Sequence, residues 1–91
     1  MYYILFYKTV ENYIEKRKPF REAHLNYASQ ANKRGELILA GALSDPADQA
    51  VLIFKTGSKK QAEDFAKNDP YVLNGVVMEW KVRPWTVVIG G

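Results

Sequence analysis

His24 and Asp69 are the side chains in this sequence best suited to proton-transfer chemistry. His24 is the only histidine, and Asp69 precedes Pro70 at the end of a predicted helix. Histidine exchanges a proton near neutral pH more readily than any other side chain. A carboxylate beside an imidazole holds one ring tautomer and favours the use of the ring as a base. If the fold brings the two together, His24 can act as general acid or base and Asp69 can orient it.

Three further residues are candidates for substrate binding around this pair. Arg21 lies one helical turn before His24 and suits an anionic group, Ser44 belongs to a turn that could line a pocket, and Tyr7 ends the first predicted strand. Each has a purely structural alternative as a solvated helix residue, a turn residue or a packed aromatic residue, respectively. His24 can likewise be a packed histidine with satisfied nitrogens, and Asp69 a helix-end residue.

Several kinds of catalytic site are excluded by composition. The chain has no cysteine, which rules out disulfides, thiolate catalysis and zinc sites built on thiolates. One histidine cannot supply a site with several imidazole ligands. The sequence also shows no Ser-His-Asp nucleophile motif, no phosphate-binding loop and no metal-ligand spacing. We therefore expect neither a metal nor a cofactor.

Length and charge predict one soluble domain that spans residues 1–91. Apolar residues make up 47% of the chain, enough to build a core. The net charge of +3 comes from short runs at 16–18 and 59–60, which helix ends and solvated faces explain, so no nucleic-acid partner is expected. No segment approaches the roughly 20 apolar residues of a membrane span, and the N-terminus lacks the charged start of a signal peptide. We predict a cytoplasmic protein with no membrane partner.

The residue pattern predicts the element order β-α-β-β-α-β. Runs of β-branched and aromatic residues indicate strands, and apolar residues at three- and four-residue spacing indicate helices. Pro19 and Gly35 bound the first helix, and Ser58 with Gln61 forms a capping box for the second, which ends at Asp69. The predicted strands cover 2–10, 36–43, 49–56 and 76–83, with a loop at 11–18, turns at 44–48, a connector at 71–75 and a short extra strand at 85–89.

This order is the ferredoxin-like split arrangement, an α+β fold with two helices on one face of a four-stranded antiparallel sheet. The first and third strands carry large apolar residues on both faces, so the face without helices needs a cover. A second copy of the chain is the simplest cover, and we predict a homodimer packed sheet to sheet. The topology also places His24, Asp69 and the turn at 41–45 at one end of the sheet, with both side chains directed inward.

The same residues resemble a known family. The series Arg21-x-x-His24-Leu25-x-Tyr27, Gly35-Glu36-Leu37, Ala40-Gly41, Asp69-Pro70-Tyr71, Gly75 and Val82-Arg83-Pro84-Trp85 is similar to that of the YciI-like, or YCII-related, domains. The resemblance spans almost the whole chain, although Gly41-Ala42 stands where the family usually has Gly-Pro. It implies a dimeric α+β barrel with a pocket that contains the matching His24 and Asp69. Some relatives resemble dehydrochlorinating enzymes that act on hydroxylated aromatics, and the fold is shared with muconolactone isomerases.

Three hypotheses for function follow. The leading one is a homodimeric, cofactor-independent lyase or isomerase in which His24 and Asp69 act on a small metabolite, aromatic or lactone-like. The second is a non-catalytic module that binds a small ligand or regulates through the same pocket. The third is a dimerisation domain in which the two residues only fasten the helices to the sheet.

Overall fold

The computed structural model describes all 91 residues as one α+β domain. A 3₁₀ turn at Lys18–Phe20 joins the first two helices. The strands are β1 Tyr2–Thr9, β2 Leu37–Ala42, β3 Gln49–Lys55 and β4 Val77–Trp85, and the helices are α1 Tyr13–Lys16, α2 Arg21–Lys33, α3 Lys60–Asn68 and α4 Pro70–Leu73.

The four strands form one antiparallel sheet in the order β2-β3-β1-β4. β1 lies between β3 and β4, so β1 and β2 run parallel to each other with β3 between them. This is the ferredoxin-like arrangement, and the prediction of fold class is confirmed. The carboxyl ends of β1 and β2 therefore lie at the same end of the sheet, where α2 begins.

The core lies between the sheet and the helices. Strand residues that face the helices are buried, as in Leu5, Leu52 and Phe54, which are at most 3% exposed. The alternate residues Ile4, Phe6, Val51 and Ile53 lie on the other face and are only half-buried. β1 and β3 are thus apolar on both faces, as the sequence indicated. One face packs on the helices, and no element of this chain covers the other.

Helix α2 begins two residues later than predicted. Pro19 lies in the 3₁₀ turn that leads into the helix, and Arg21 is the first α-helical residue. Gly35 ends the helix with φ +81°, and the N–H of Glu36 donates to the carbonyl of Ala31 at 3.1 Å, which satisfies a carbonyl of the last turn. The predicted inward stripe is correct in phase, since Ala31 is buried and the rest of the stripe is half-buried.

The capping box of the second helix forms only in part. Ser58 Oγ accepts from the N–H of Lys60 at 3.3 Å, so this residue caps α3 from just outside its first turn. The side chain of Gln61 accepts from Ser58 Oγ at 3.1 Å instead of reaching the backbone. Ser58 was predicted as the N-cap, whereas the N-cap of α3 is Lys59, one residue later.

The separate strand predicted at 85–89 is wrong. β4 continues through Pro84 to Trp85 as an edge strand, where proline is tolerated because its missing N–H faces away from the ladder, and residues 86–91 form no strand. Alternation along the sequence would place Val76, Met78, Trp80 and Val82 on one face of this strand. The register shifts between Lys8 and Thr9, however, so Val77 is buried and Met78 is 57% exposed.

The longest helix, α2, has 13 residues, and no helix of the chain combines the length and the apolar character of a membrane span.

Candidate functional site

Asp69 lies at the junction of two helices. It follows α3 with φ −66° and ψ 127°, an extended conformation that ends one helix and starts the next. Pro70 takes the first position of α4, where a missing N–H costs little. The helical spacing from Ala62 carries Asp69 onto the inward side, and its side chain is completely buried. The local sequence therefore places a carboxylate inside the core.

The buried carboxylate accepts three hydrogen bonds. Oδ1 accepts from the backbone N–H of Tyr71 at 2.9 Å and from Nδ1 of His24 at 2.7 Å, and Oδ2 accepts from the hydroxyl of Tyr7 at 2.6 Å. A buried charge is tolerated only when donors compensate for its lost hydration. Three donors from β1, α2 and α4 supply that compensation and fix both oxygens in place.

The imidazole of His24 is held at one edge and one face. Its Nδ1 points to Asp69, and its ring stacks on the ring of Tyr71 with centroids 3.8 Å apart and planes 6° apart. Because an ionised carboxylate can only accept, Nδ1 carries the hydrogen of this bond in the neutral ring. Nε2 then has a free lone pair and makes no hydrogen bond within the chain. The ring is thus oriented as a base.

Tyr7 closes the other side of the carboxylate. Its side chain is 2% exposed, and burial together with the negative charge of Asp69 raises its pKa far above the usual range. The hydroxyl therefore stays protonated and acts as a donor to Oδ2. Tyr7 therefore does not transfer protons near neutral pH. It holds the carboxylate of Asp69 in place, and Asp69 in turn orients His24.

A cavity of about 220 Å³ lies beside His24, between α2 and the β2 side of the sheet. Small and apolar residues of α2, β2 and β3 form one part of its wall, including Leu25, Ala40 and Leu52. An apolar cavity of about 150 Å³ is large enough for benzene, so this one suits a substituted single ring. Its polar lining residues are Tyr7, Tyr13, Arg17, Arg21, His24 and Tyr71.

The structure brings together four of the five candidate residues. His24 and Asp69 are in direct contact, as the topology predicted, Tyr7 bonds to Asp69, and Arg21 lines the cavity. Ser44 is exposed in the loop between β2 and β3 and does not line the cavity. The catalytic and binding roles of these residues stay predictions.

Three residues that the sequence interpretation did not select also line the site. Tyr71 stacks on His24, Tyr13 packs edge-on against Tyr71, and the Arg17 guanidinium lies 5.0 Å from the ring centre of Tyr13. Tyr71 directly follows Asp69-Pro70. Because proline favours the first position of a helix, this pair was a local signal that Tyr71 lies in the first turn of a helix beside Asp69. Arg17 belongs to a basic run that was interpreted as solvated, and nothing in the sequence sets it apart from Lys16 or Lys18.

A larger and shallower depression of about 740 Å³ lies elsewhere, around the end of β1 and the start of β3. Charged side chains such as Lys8, Asp48 and Glu79 contribute to its wall, and His24 does not. The smaller cavity is the better candidate site, because His24, whose ring is hydrogen-bonded to the buried Asp69, lines it and not the larger depression.

The fold and the site together define a ferredoxin-like α+β domain with a His–Asp pair beside a small cavity. The chain belongs to the YCII-related domain family, whose pattern it matches over residues 1–86. It is 33% identical to an uncharacterized protein of Haemophilus influenzae, in an alignment that covers 97% of this chain and 99% of that protein.

A solved structure shares the fold at lower sequence similarity. It is 5-chloro-2-hydroxyhydroquinone dehydrochlorinase from Burkholderia phenoliruptrix in complex with 2,5-dihydroxybenzoquinone. The match has a TM-score of 0.78 and 19% identity, and it covers 94% of each chain. At this identity the likeness shows the common fold.

Proposed function

We propose that this protein is a small-molecule enzyme of the lyase or isomerase type in which His24 is the general acid/base. The observation that carries the proposal is the 2.7 Å contact between Nδ1 of His24 and Oδ1 of the buried Asp69. That contact leaves Nε2 as the free basic atom of a side chain that lines a cavity. A positioned base of this kind contributes typically 10²- to 10⁴-fold to a rate, as an order of magnitude.

The chemistry is a proton transfer with a defined direction. Nε2 of His24 accepts a proton from an acidic C–H or O–H of the bound substrate, and the imidazolium that forms is stabilised by Asp69. In an isomerase, His24 returns the proton to a different atom of the substrate. In a lyase, the electron pair left on the substrate expels a leaving group, and the proton passes to solvent. No step requires a cofactor.

The proposed substrate is small, and aromatic or lactone-like. The cavity volume of about 220 Å³ and the aromatic rings of Tyr13 and Tyr71 in its wall suit a single planar ring. The fold shared with a dehydrochlorinase whose complex holds a dihydroxybenzoquinone supports the same class.

We propose that the functional unit is a homodimer that packs through the face of the sheet opposite the helices. Ile4, Phe6, Val51 and Ile53 form a contiguous apolar area on the two central strands of that face. Contiguous apolar surface of this kind marks interaction sites, and a two-fold axis covers identical patches with each other. A cytoplasmic location stays a prediction from the sequence.

The test is deuterium exchange and chloride release in D₂O with the wild type, His24→Gln and Asn26→Gln. The probes are 5-chloro-2-hydroxyhydroquinone and a panel of single-ring phenols and lactones with acidic C–H groups. We expect wild type and Asn26→Gln, an exposed change on the same helix, to react alike. We expect His24→Gln to be slower by about 10²-fold or more. Equal rates for wild type and His24→Gln would overturn the catalytic proposal and favour a binding module.

A structural role for the pair is distinguished by stability. If His24→Gln lowers the melting temperature strongly and the native protein turns over none of the probes, the pair serves to fasten α2 to the sheet. Circular dichroism of the same three proteins provides this measurement.

A further inference from the structure

Three polar groups that line the cavity take part in no ion pair and in no hydrogen bond of ordinary geometry within the chain. Arg17 and Arg21 line the cavity, and neither takes part in any of the ion pairs of the chain. Arg17 caps α1 and Arg21 starts α2, four residues apart across the 3₁₀ turn. The third group is the hydroxyl of Tyr71, on a side chain that is 2% exposed and makes no hydrogen bond.

It is unusual for a buried hydroxyl such as that of Tyr71 to lack a hydrogen-bond partner. A buried polar atom without a partner costs stability, so native proteins rarely keep one without a use. Burial and the nearby Tyr13 raise the pKa of Tyr71, whereas the charges of Arg17 and Arg21 and the close approach of the Arg21 side chain to the hydroxyl oppose the rise. The hydroxyl therefore stays protonated, and it can donate to an acceptor that enters the cavity beside the two arginines.

These groups lie next to the proposed base. The Arg17 guanidinium stands over the ring of Tyr13, whose ring centre is 6.1 Å from that of Tyr71, and Tyr71 in turn stacks on His24 at 3.8 Å. The nearest buried carboxylate, Asp69, has both oxygens occupied by protein donors. The mouth of the cavity is thus positively charged and rich in donors, and no acidic group of the chain neutralises it.

We infer that the substrate carries an anionic oxygen, a carboxylate or a phenolate on a single ring, which Arg17, Arg21 and the Tyr71 hydroxyl bind. This inference rests on the proposed function and names its substrate class. Guanidinium groups bind such oxygens through charge-assisted hydrogen bonds. The ring of the ligand then lies against Tyr13 and Tyr71 with its acidic C–H or O–H near Nε2 of His24. Donors at this position also stabilise negative charge that spreads onto the oxygen when His24 removes the proton.

The test compares anionic and neutral ligands of similar size by isothermal titration calorimetry. Benzoate is matched with benzamide, and 4-nitrophenolate, above the pKa of the phenol, with nitrobenzene. We expect at least one anion to bind about 10-fold or more tighter than its neutral counterpart. Which anion binds tighter distinguishes a carboxylate from a phenolate substrate.

Variants locate the binding groups. We expect Arg21→Met and Arg17→Met each to weaken binding of the preferred anion by about 10- to 100-fold. The affinity for the neutral ligand should stay within about 3-fold of the wild-type value. Arg34→Met is the matched control, because Arg34 pairs with Glu36 away from this cavity. Equal weakening of anion and neutral ligand would overturn the assignment of charge recognition to these arginines.

Tyr71→Phe separates a ligand-binding hydroxyl from a structural one. Because the hydroxyl has no partner in the unliganded protein, its removal should leave the melting temperature unchanged or raise it, while affinity for the anion falls by about 10-fold. A lower melting temperature with unchanged affinity would overturn its role. Failure of both anions to bind more tightly than their neutral partners at millimolar concentration would overturn the whole inference.

His24→Gln distinguishes this inference from the catalytic proposal. The variant keeps Arg17, Arg21 and Tyr71 but removes the ring that stacks on Tyr71, so it should retain anion binding within about 10-fold even though it loses turnover. Retained binding together with unchanged turnover would contradict only the role of His24 as base. Loss of anion binding in this variant would contradict the location of the anion at the arginines.

Discussion

The hydroxyl of Tyr7 lies 2.6 Å from Oδ2 of Asp69, although the two residues are 62 positions apart in the chain. This bond ties the end of β1 to the junction of α3 and α4. The same carboxylate receives His24 from α2, so three elements depend on one buried side chain. The network therefore couples the stability of the fold to the geometry of the candidate site.

Tyr7→Phe should lower stability without changing the fold. It removes a hydrogen bond to a charged acceptor and leaves Oδ2 of Asp69 without a donor, which should cost about 1.5–3 kcal/mol in the free energy of unfolding. Urea denaturation at neutral pH provides the measurement. Tyr2→Phe, which changes an exposed hydroxyl that bonds to the Gly91 carbonyl, is the matched control and should cost less than about 1 kcal/mol. Equal costs for the two variants would contradict a special role for the buried bond.

Asp69→Asn should destabilise the protein more than Tyr7→Phe does. An amide has one oxygen acceptor where the carboxylate has two, so at least one of the donors from Tyr7, His24 and Tyr71 loses its partner while buried. We expect a loss of about 2–4 kcal/mol, measured by the same denaturation series. Stability within about 0.5 kcal/mol of wild type would show that the network contributes little.

The protein should lose stability steeply in alkaline solution. Burial raises the folded-state pKa of Tyr7, Tyr27 and Tyr71 above the value of about 10 in the unfolded chain. Between those two values the unfolded state has released a proton that the folded state still holds. Stability is therefore intact below about pH 10 and falls above it, by up to about 1.4 kcal/mol per pH unit for the buried Tyr7 and by less for the more accessible Tyr27.

Urea midpoints measured from about pH 9 to about pH 11 check this dependence. Tyr7→Phe should show a shallower fall than the wild type, since it removes the residue with the largest rise in pKa. The same slope in both proteins would contradict the assignment to Tyr7.

The single histidine allows a direct test of ring orientation. With ¹⁵N-labelled histidine, only His24 contributes to the ring region of the spectrum. The neutral ring should be the Nδ1–H tautomer, because Nδ1 donates to Asp69. This is the opposite of the Nε2–H form that a neutral ring without this contact usually adopts. A dominant Nε2–H tautomer would contradict the proposed role of Nε2 as the base.

The proposed dimer should be visible as a mass of about twice the 10.4 kDa of one chain in light scattering at micromolar concentration. Ile53→Lys places a charge in the centre of the apolar sheet face and should shift the mass towards one chain. Leu73→Lys is the matched control, because Leu73 is 67% exposed on α4, and it should leave the mass unchanged. A single-chain mass for the wild type would contradict the dimer.

The sequence-based prediction of the fold succeeded where local pattern and tertiary packing agree. Alternation in β1 and β3, the stripe that ends at Asp69, and the helix stop at Gly35 each reflect local physics that the folded protein keeps. The prediction failed where the conformation of one strand depends on the strand that pairs with it. The bulge beside Thr9 depends on pairing with β4, so it moved Val77 inward and Met78 outward without a signal in β4 itself.

The meeting of His24 and Asp69 could be predicted because topology alone assigns both to one end of the sheet. Their distance, the donor from Tyr7 and the stacking of Tyr71 required the packed structure. Only the packed structure shows which residues line the cavity: Arg17 and Arg21 do, and Ser44 does not.

The sequence by itself determined the order of elements, the class of fold and the two residues able to transfer a proton. These follow from periodicity, helix and strand end signals and side-chain chemistry, which act over a few residues. Only the tertiary structure decided that Asp69 accepts three hydrogen bonds in the core, that Nε2 of His24 stays free, and that the Tyr71 hydroxyl stays unpaired beside two arginines. Those features arise from side chains far apart in the chain, whose contacts depend on how the helices pack on the sheet.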